Sequence, residues 1–197
     1  MSNDMDSIIY NMASRGGVIT VSELSKQSDY RKLVRMKDRG DLIKIRHGVY
    51  AIPDALFNTI IDVERIVPNG IVCLFNAWSY HQLSTVVPPS ICVAIDAKRK
   101  VVIPSTVPIE IYYWKKENLE FGIIDAEISG FKVRITDLER SVCDAVKYRN
   151  KIGLDTTAEI IRNYLKKDKR NLSRLSEYAK RLRVANTLKN YLMIAIE

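Results

Sequence analysis

Residues 20–52 read TVSELSKQSDYRKLVRMKDRGDLIKIRHGVYAI, and the order of signals in this stretch decides the fold. Thr20 has Glu23 three residues on, the capping-box spacing in which each side chain satisfies an amide left open at a helix start. It opens a short helix from Val21 to about Lys26. Gln27 to Asp29 is polar, and Ser28 is placed to cap a longer helix, Asp29 to Arg39, which Gly40 terminates. Leu42 to Arg46 and Val49 to Ile52 are β-prone runs around His47-Gly48, which predicts a hairpin closed by Pro53. Upstream, Met5 to Ala13 reads as a helix with Ile8, Ile9 and Met12 on one face, ended by Gly16-Gly17 and followed by a brief strand at Val18-Ile19. Helix, short helix, turn, helix, hairpin is the order of a winged helix-turn-helix.

The longer helix has the build of a recognition helix. Leu33, Val34 and Met36 give it an apolar side, while Arg31, Arg35 and Arg39 recur every four residues with Ser28, Tyr30 and Lys32 beside them. Such a helix needs one face in the domain core and another carrying guanidinium forks to base edges in the major groove. A row of charges on a solvated helix is common. A short helix before it and a basic hairpin after it are what turn the row towards DNA. At the hairpin, Lys44, Arg46 and His47 are the wing residues, with Lys44 and Arg46 expected to meet phosphate or the minor groove. Tyr50 is expected to pack beneath.

Further on, Asp54 is placed to cap a helix running to Val67, stopped by Pro68 and Asn69-Gly70, and Leu74 to Leu83 reads as helical. Ser84 to Ser90, with Pro88-Pro89, is the expected domain boundary. Strands are expected at Ile91–Ile95, Ile109–Trp114, Gly122–Ile128 and Phe131–Ile135, the last two joined at Ser129-Gly130. Thr136 with Glu139 is a second capping box, opening a helix to about Arg149. Three more helices follow, the first capped by Asp155 and the others covering Asn171–Arg183 and Val184–Ala195. The fold class is therefore α+β: a winged helix-turn-helix domain over residues 1–84, then a mixed α+β domain over residues 85–197 ending in helices.

The net charge of +8 over 197 residues favours a polyanionic partner. Its placement is uneven: from Arg162 onward there are ten Lys or Arg against three Asp or Glu. Arg162, Lys166, Lys167, Lys169, Arg170, Arg174, Lys180, Arg181 and Arg183 surround apolar Leu165, Leu172, Leu175 and Leu182. Two readings stand side by side, a second surface for DNA or RNA and the solvated face of amphipathic helices.

Other functions find less support. Asp137, Glu139 and Asp144 with Lys147 would be the acidic set of a metal-dependent nuclease targeted by the winged helix. Yet the first two fall in a helix's first turn, where carboxylates cap amides, and Asp144 has Arg140 and Lys147 at helical spacing. His81 lacks a Ser–Asp partner nearby and reads as packed, bonded to backbone. Cys73, Cys92 and Cys143 are odd in number and sit in apolar stretches, as small buried hydrophobes do, and no spacing with His47 or His81 resembles a metal site. No cofactor is expected. No apolar run reaches the ~20 residues of a membrane span, and the acidic start is unlike a signal peptide, which predicts a cytoplasmic protein.

Several of these stretches also carry a family likeness. Gly16-Gly17, Val21-Ser22-Glu23-Leu24, Arg39-Gly40-Asp41-Leu42 and Arg46-His47-Gly48-Val49-Tyr50 resemble the N-terminal domain of the AbiEi family, antitoxins of type IV toxin–antitoxin abortive-infection systems. Ala77-Trp78-Ser79-Tyr80-His81-Gln82-Leu83 and Thr136-Asp137-Leu138-Glu139-Arg140-Ser141 with Asp144 extend the resemblance along the chain. On these residues a repressor is expected rather than an enzyme, and the resemblance implies a phage-defence protein. It implies a repressor of its own operon, two copies binding inverted repeats in double-stranded promoter DNA. It also implies an antagonist of a nucleotidyltransferase-like toxin that forms no stable complex with that toxin.

Overall fold

The computed structural model describes residues 8, 12–14, 16–24, 26–54, 63–88, 90–103, 107–128 and 130–196. The fold is mixed α+β, as the order of signals predicts. The chain packs as two compact units. The first is Met1–Gly70 with Arg99–Ile109 and Glu127–Val133; the second is Ile71–Lys98, Glu110–Ala126 and Arg134–Glu197.

In the first unit, β1 (Val18–Thr20), β2 (Ile43–Arg46) and β3 (Val49–Ala51) form an antiparallel sheet in the order β1-β3-β2. A register shift between Lys44 and Arg46 marks a bulge in β2, a device that bends a strand and raises its twist. Gly48 closes the turn at φ 73°, a conformation that a Cβ disfavours. Helix α1 (Gln27–Arg39) packs Leu33 and Met36 against Met12, Leu42 and Tyr50. Its last turn ends at Gly40, whose N–H donates to the Lys37 carbonyl while Asp41 N–H reaches back to Met36.

Two local expectations are corrected here. The segment after Thr20 is a single 3-10 turn, Val21–Glu23, rather than a helix to Lys26, because Leu24 returns to extended backbone. Thr20 N–H still donates to the Glu23 carboxylate at 2.8 Å, and the same carboxylate pairs with Arg65. Helix α1 starts two residues early, with Lys26 at its N-cap, so Ser28 is a helical, exposed residue and not the cap. Of the helix expected from Asp54 to Val67, only α2 (Val63–Ile66) and the first turn at Pro53-Asp54 are described. Ile9 of the first helix and residues 55–62 lie outside the described residues.

The second unit holds most of a five-stranded sheet in the order β6-β5-β4-β8-β7. Its strands are β4 (Ile71–Val72), β5 (Ile91–Asp96), β6 (Ile109–Trp114), β7 (Ile123–Ile128) and β8 (Phe131–Thr136). The short β4, invisible as a two-residue run, joins antiparallel β5 to parallel β8. Helices α3 (Leu74–Tyr80), α4 (Leu138–Ile152), α5 (Leu154–Leu165), α6 (Leu172–Arg181) and α7 (Ala185–Ile196) complete the unit. Leu74 and Trp78 of α3 are fully buried in this unit's core beside Val142, Val146, Ile160 and Tyr164. Residues 71–98, α3 among them, pack with the second unit.

Helix α4 is capped by Asp137, whose Oδ1 accepts from Arg140 N–H, and not by Thr136, which is the last residue of β8 and bonds the Ser141 hydroxyl. Beneath it lies a buried ionic core. Arg140 Nε donates to both Asp144 oxygens at 3.1 Å, and its Nη1 donates to the carbonyls of Asn118 and Phe121. The guanidinium is held between the rings of Trp114 and Phe121, 4.4 and 4.5 Å from their centroids. All three cysteines are free and buried, as their apolar settings predict, and burial pushes the Cys92 thiol up to about 11. Among the described residues, no helix is long and apolar enough to cross a membrane.

Candidate nucleic-acid interface

The periodicity of α1 fixes what it presents. With Leu33 and Met36 in the core, positions three and four apart on the other side lie in solvent, and these are Ser28, Arg31, Arg35 and Arg39. Arg31 and Arg35 are exposed and make no hydrogen bond or ion pair with any described residue. Arg39 pairs with Asp41 at 3.0 Å and Lys32 with Asp29 at 3.3 Å, both on the surface. An exposed pair such as Arg39–Asp41 contributes ~0–1 kcal/mol.

Tyr30 lines one groove with Tyr50 and the hairpin. Tyr50 is buried, as expected, and burial raises its pKa, keeping it a neutral hydrogen-bonding partner. Between the start of α1 and the hairpin runs an open groove of about 600 Å³, lined by Lys26, Tyr30, Lys44, His47 and the 3-10 turn. Among the described residues that line it the charged side chains are all basic, Lys26, Lys44 and Arg46. Lys26 is a groove cation that the spacing of the arginine row did not point to. It sits at the N-cap, outside the helical period.

The hairpin departs from expectation at one residue. Lys44 and His47 are exposed, but Arg46 is turned inward: its Nε donates to the Ile66 carbonyl at 3.1 Å and its Nη2 to that of Arg65 at 2.9 Å. It satisfies carbonyls left open at the end of α2 and ties the hairpin to that helix. Arg65 is engaged in turn with the Val18 carbonyl and Glu23. Neither strut was legible beforehand, since both depend on α2 folding back beside the sheet.

The basic C-terminal residues divide the same way. Arg162, Lys166, Lys169, Lys180 and Arg183 are exposed. Lys167 reaches the Gln82 side chain at 3.4 Å, and Arg170 donates to the Lys167 carbonyl. Arg174 sits 3.6 Å from the buried Glu139 carboxylate, and Arg181 lies over the Phe121 ring at 3.9 Å. These four bind their own unit and have less to offer a partner.

The acidic set of the nuclease reading is occupied internally. Asp137 caps α4 and accepts from Tyr178, Glu139 accepts from Asn171 N–H and Tyr164, and Asp144 holds Arg140. Among the described residues, no group of three His, Cys, Asp or Glu is placed to hold a metal ion. His81 Nε2 bonds the Thr136 carbonyl at 2.8 Å, the backbone partner expected of a packed histidine.

Compared with known proteins, residues 7–53 match the family model described as a transcriptional regulator, the AbiEi antitoxin. The resemblance read from the sequence is borne out over this segment, which spans the first unit's sheet, α1 and the hairpin. No curated protein matches the chain.

Proposed function

We propose that this chain is a sequence-specific DNA-binding repressor whose first unit works as a winged helix-turn-helix. Arg31 and Arg35 on α1 read base edges in the major groove, and Lys44 and His47 on the hairpin hold the backbone. The observation that carries this reading is the pair of exposed arginines directly opposite Leu33 and Met36, on a helix followed at once by a basic hairpin. The match of residues 7–53 to AbiEi regulators supports a regulator and antitoxin role, and the finer reading follows from the family resemblance. The chain represses its own toxin–antitoxin operon of type IV through inverted repeats, two copies per site. It also antagonises a nucleotidyltransferase-like toxin without a stable complex. The exposed cations of the C-terminal helices add attraction for the same polyanion.

Footprinting on the DNA upstream of the chain's own gene tests the reading. Two protected half-sites in inverted orientation are expected, centred one helical turn or a multiple apart. Uniform protection, or none at concentrations that coat the DNA, would overturn it. Co-expression with the toxin from a neighbouring gene should restore growth while the two proteins fail to co-purify.

A further inference from the structure

The hairpin has a second side. Opposite the groove shared with Tyr30 lies another, about 570 Å³, lined by Lys44, Arg46, His47, Arg99, Lys100 and Val102 among others. Residues 99–102 fall far from the hairpin in sequence, in a stretch with no helical or strand signal, yet they belong to the same compact unit. Two arginines build this groove and are used up in doing so. Arg46 grips the carbonyls of Arg65 and Ile66, and Arg99 donates to the carbonyl of Pro68. Both are thus anchored on one short segment, Arg65–Pro68, which holds the hairpin and the 99–102 strap side by side.

What remains pointing outward is two lysines and an imidazole. Lys44, His47 and Lys100 are exposed and make no hydrogen bond or ion pair with any described residue, and among the described residues no carboxylate lines the groove. Val102, 85% exposed, forms an apolar rim beside them. Two outward lysines beside an imidazole, in a trough with no carboxylate among its described lining residues, are suited to a run of phosphodiesters and poorly suited to a base edge, which needs planar, bidentate donors.

We infer that the strap is a second backbone-contacting element, in which Lys100 engages a DNA phosphate on the far side of the hairpin from α1. The hairpin is then held between two phosphate contacts, and the footprint of one copy extends outward past the wing. This rests on the reading of the hairpin as DNA-facing.

The test uses the full chain and a duplex carrying the upstream DNA, with affinity measured across a salt series. Wild-type binding to that duplex comes first: its absence would defeat the DNA reading itself, before the strap is in question. Given binding, Lys100→Ala should weaken it about eightfold at 0.1 M salt and reduce the slope of log affinity against log salt by about one unit. Lys100→Arg should restore both. Lys116→Ala, which removes an equally exposed charge in the second unit, should change neither. An unaltered slope in Lys100→Ala, or an equal loss in Lys116→Ala, would overturn the proposal. Melting curves distinguish misfolding, and if Lys100→Ala melts early, wild type against Lys100→Gln repeats the comparison at similar side-chain size.

Discussion

Arg46 donates its Nε hydrogen to the carbonyl oxygen of Ile66 at 3.1 Å, so the basic side chain nearest the hairpin tip is a strut. Its neighbour Lys44 has no such engagement. Two cations one residue apart, Lys44 and Arg46, therefore separate into different roles.

That separation is measurable. Arg46→Ala removes two hydrogen bonds from a charged donor and leaves two carbonyls open, which should cost about 2–4 kcal/mol of stability, with DNA affinity falling as a consequence. Lys44→Ala should leave stability within about 0.5 kcal/mol and lower the salt slope by about one unit. Chemical denaturation and a salt series on both variants check this. Equal, small stability changes would return Arg46 to the surface.

The buried pair Arg140–Asp144 carries the second prediction. Asp144→Asn strands a buried guanidinium and should destabilise the protein by about 3–5 kcal/mol. Replacing both residues by Met and Leu should cost much less than the sum of the single changes. Denaturation of the three variants measures this. A stable Asp144→Asn protein would remove Asp144 from its structural role and reopen the nuclease reading.

His81 supplies a pH dependence. Burial lowers its pKa from 6.5, more than the hydrogen bond to the Thr136 carbonyl raises it. The native state therefore favours the neutral ring, while the unfolded chain takes up a proton below about pH 6.5. The sign follows: stability contributed by His81 is complete above that pH and is lost as pH falls through the lower native value. Thermal midpoints should drop between about pH 7 and pH 5.5, and His81→Gln, which keeps a donor to the carbonyl, should flatten the drop. An identical pH slope in that variant would rule the residue out as its source.

The C-terminal helices give a fourth. Lys166, Lys169 and Lys180 are exposed, so their joint replacement by Ala should spare the fold. It should reduce non-specific duplex binding and its salt slope, measured on DNA of unrelated sequence. Unchanged values would make this a solvated face only.

How much of this could be read beforehand depends on how local each determinant is. Leu33 and Met36 against Arg31 and Arg35, Gly40 closing α1, and the turn at Gly48 are set by residues a few positions apart, and the sequence shows them directly. The cap at Asp137 was displaced by one residue because Thr136 is drawn into β8, a tertiary demand that outweighs a local pattern. Arg46 and Arg99 took their roles from carbonyls near residue 66, and two-residue β4 exists only through its neighbours in the sheet. Glu139 was read as a capping carboxylate, but the chain brings Tyr164, Asn171 and Arg174 to it instead.

The central claim is that Arg31 and Arg35 read DNA sequence, and one measurement addresses it most directly. Binding of wild type, Arg31→Ala and Arg35→Ala is compared on the upstream duplex and on a scrambled duplex of the same composition, at one salt concentration. Each variant should lose most of the preference for the upstream DNA, about 1–3 kcal/mol per arginine, while its stability stays within about 0.5 kcal/mol of wild type. Undiminished preference in both variants would contradict the assignment of α1 as the element that reads bases.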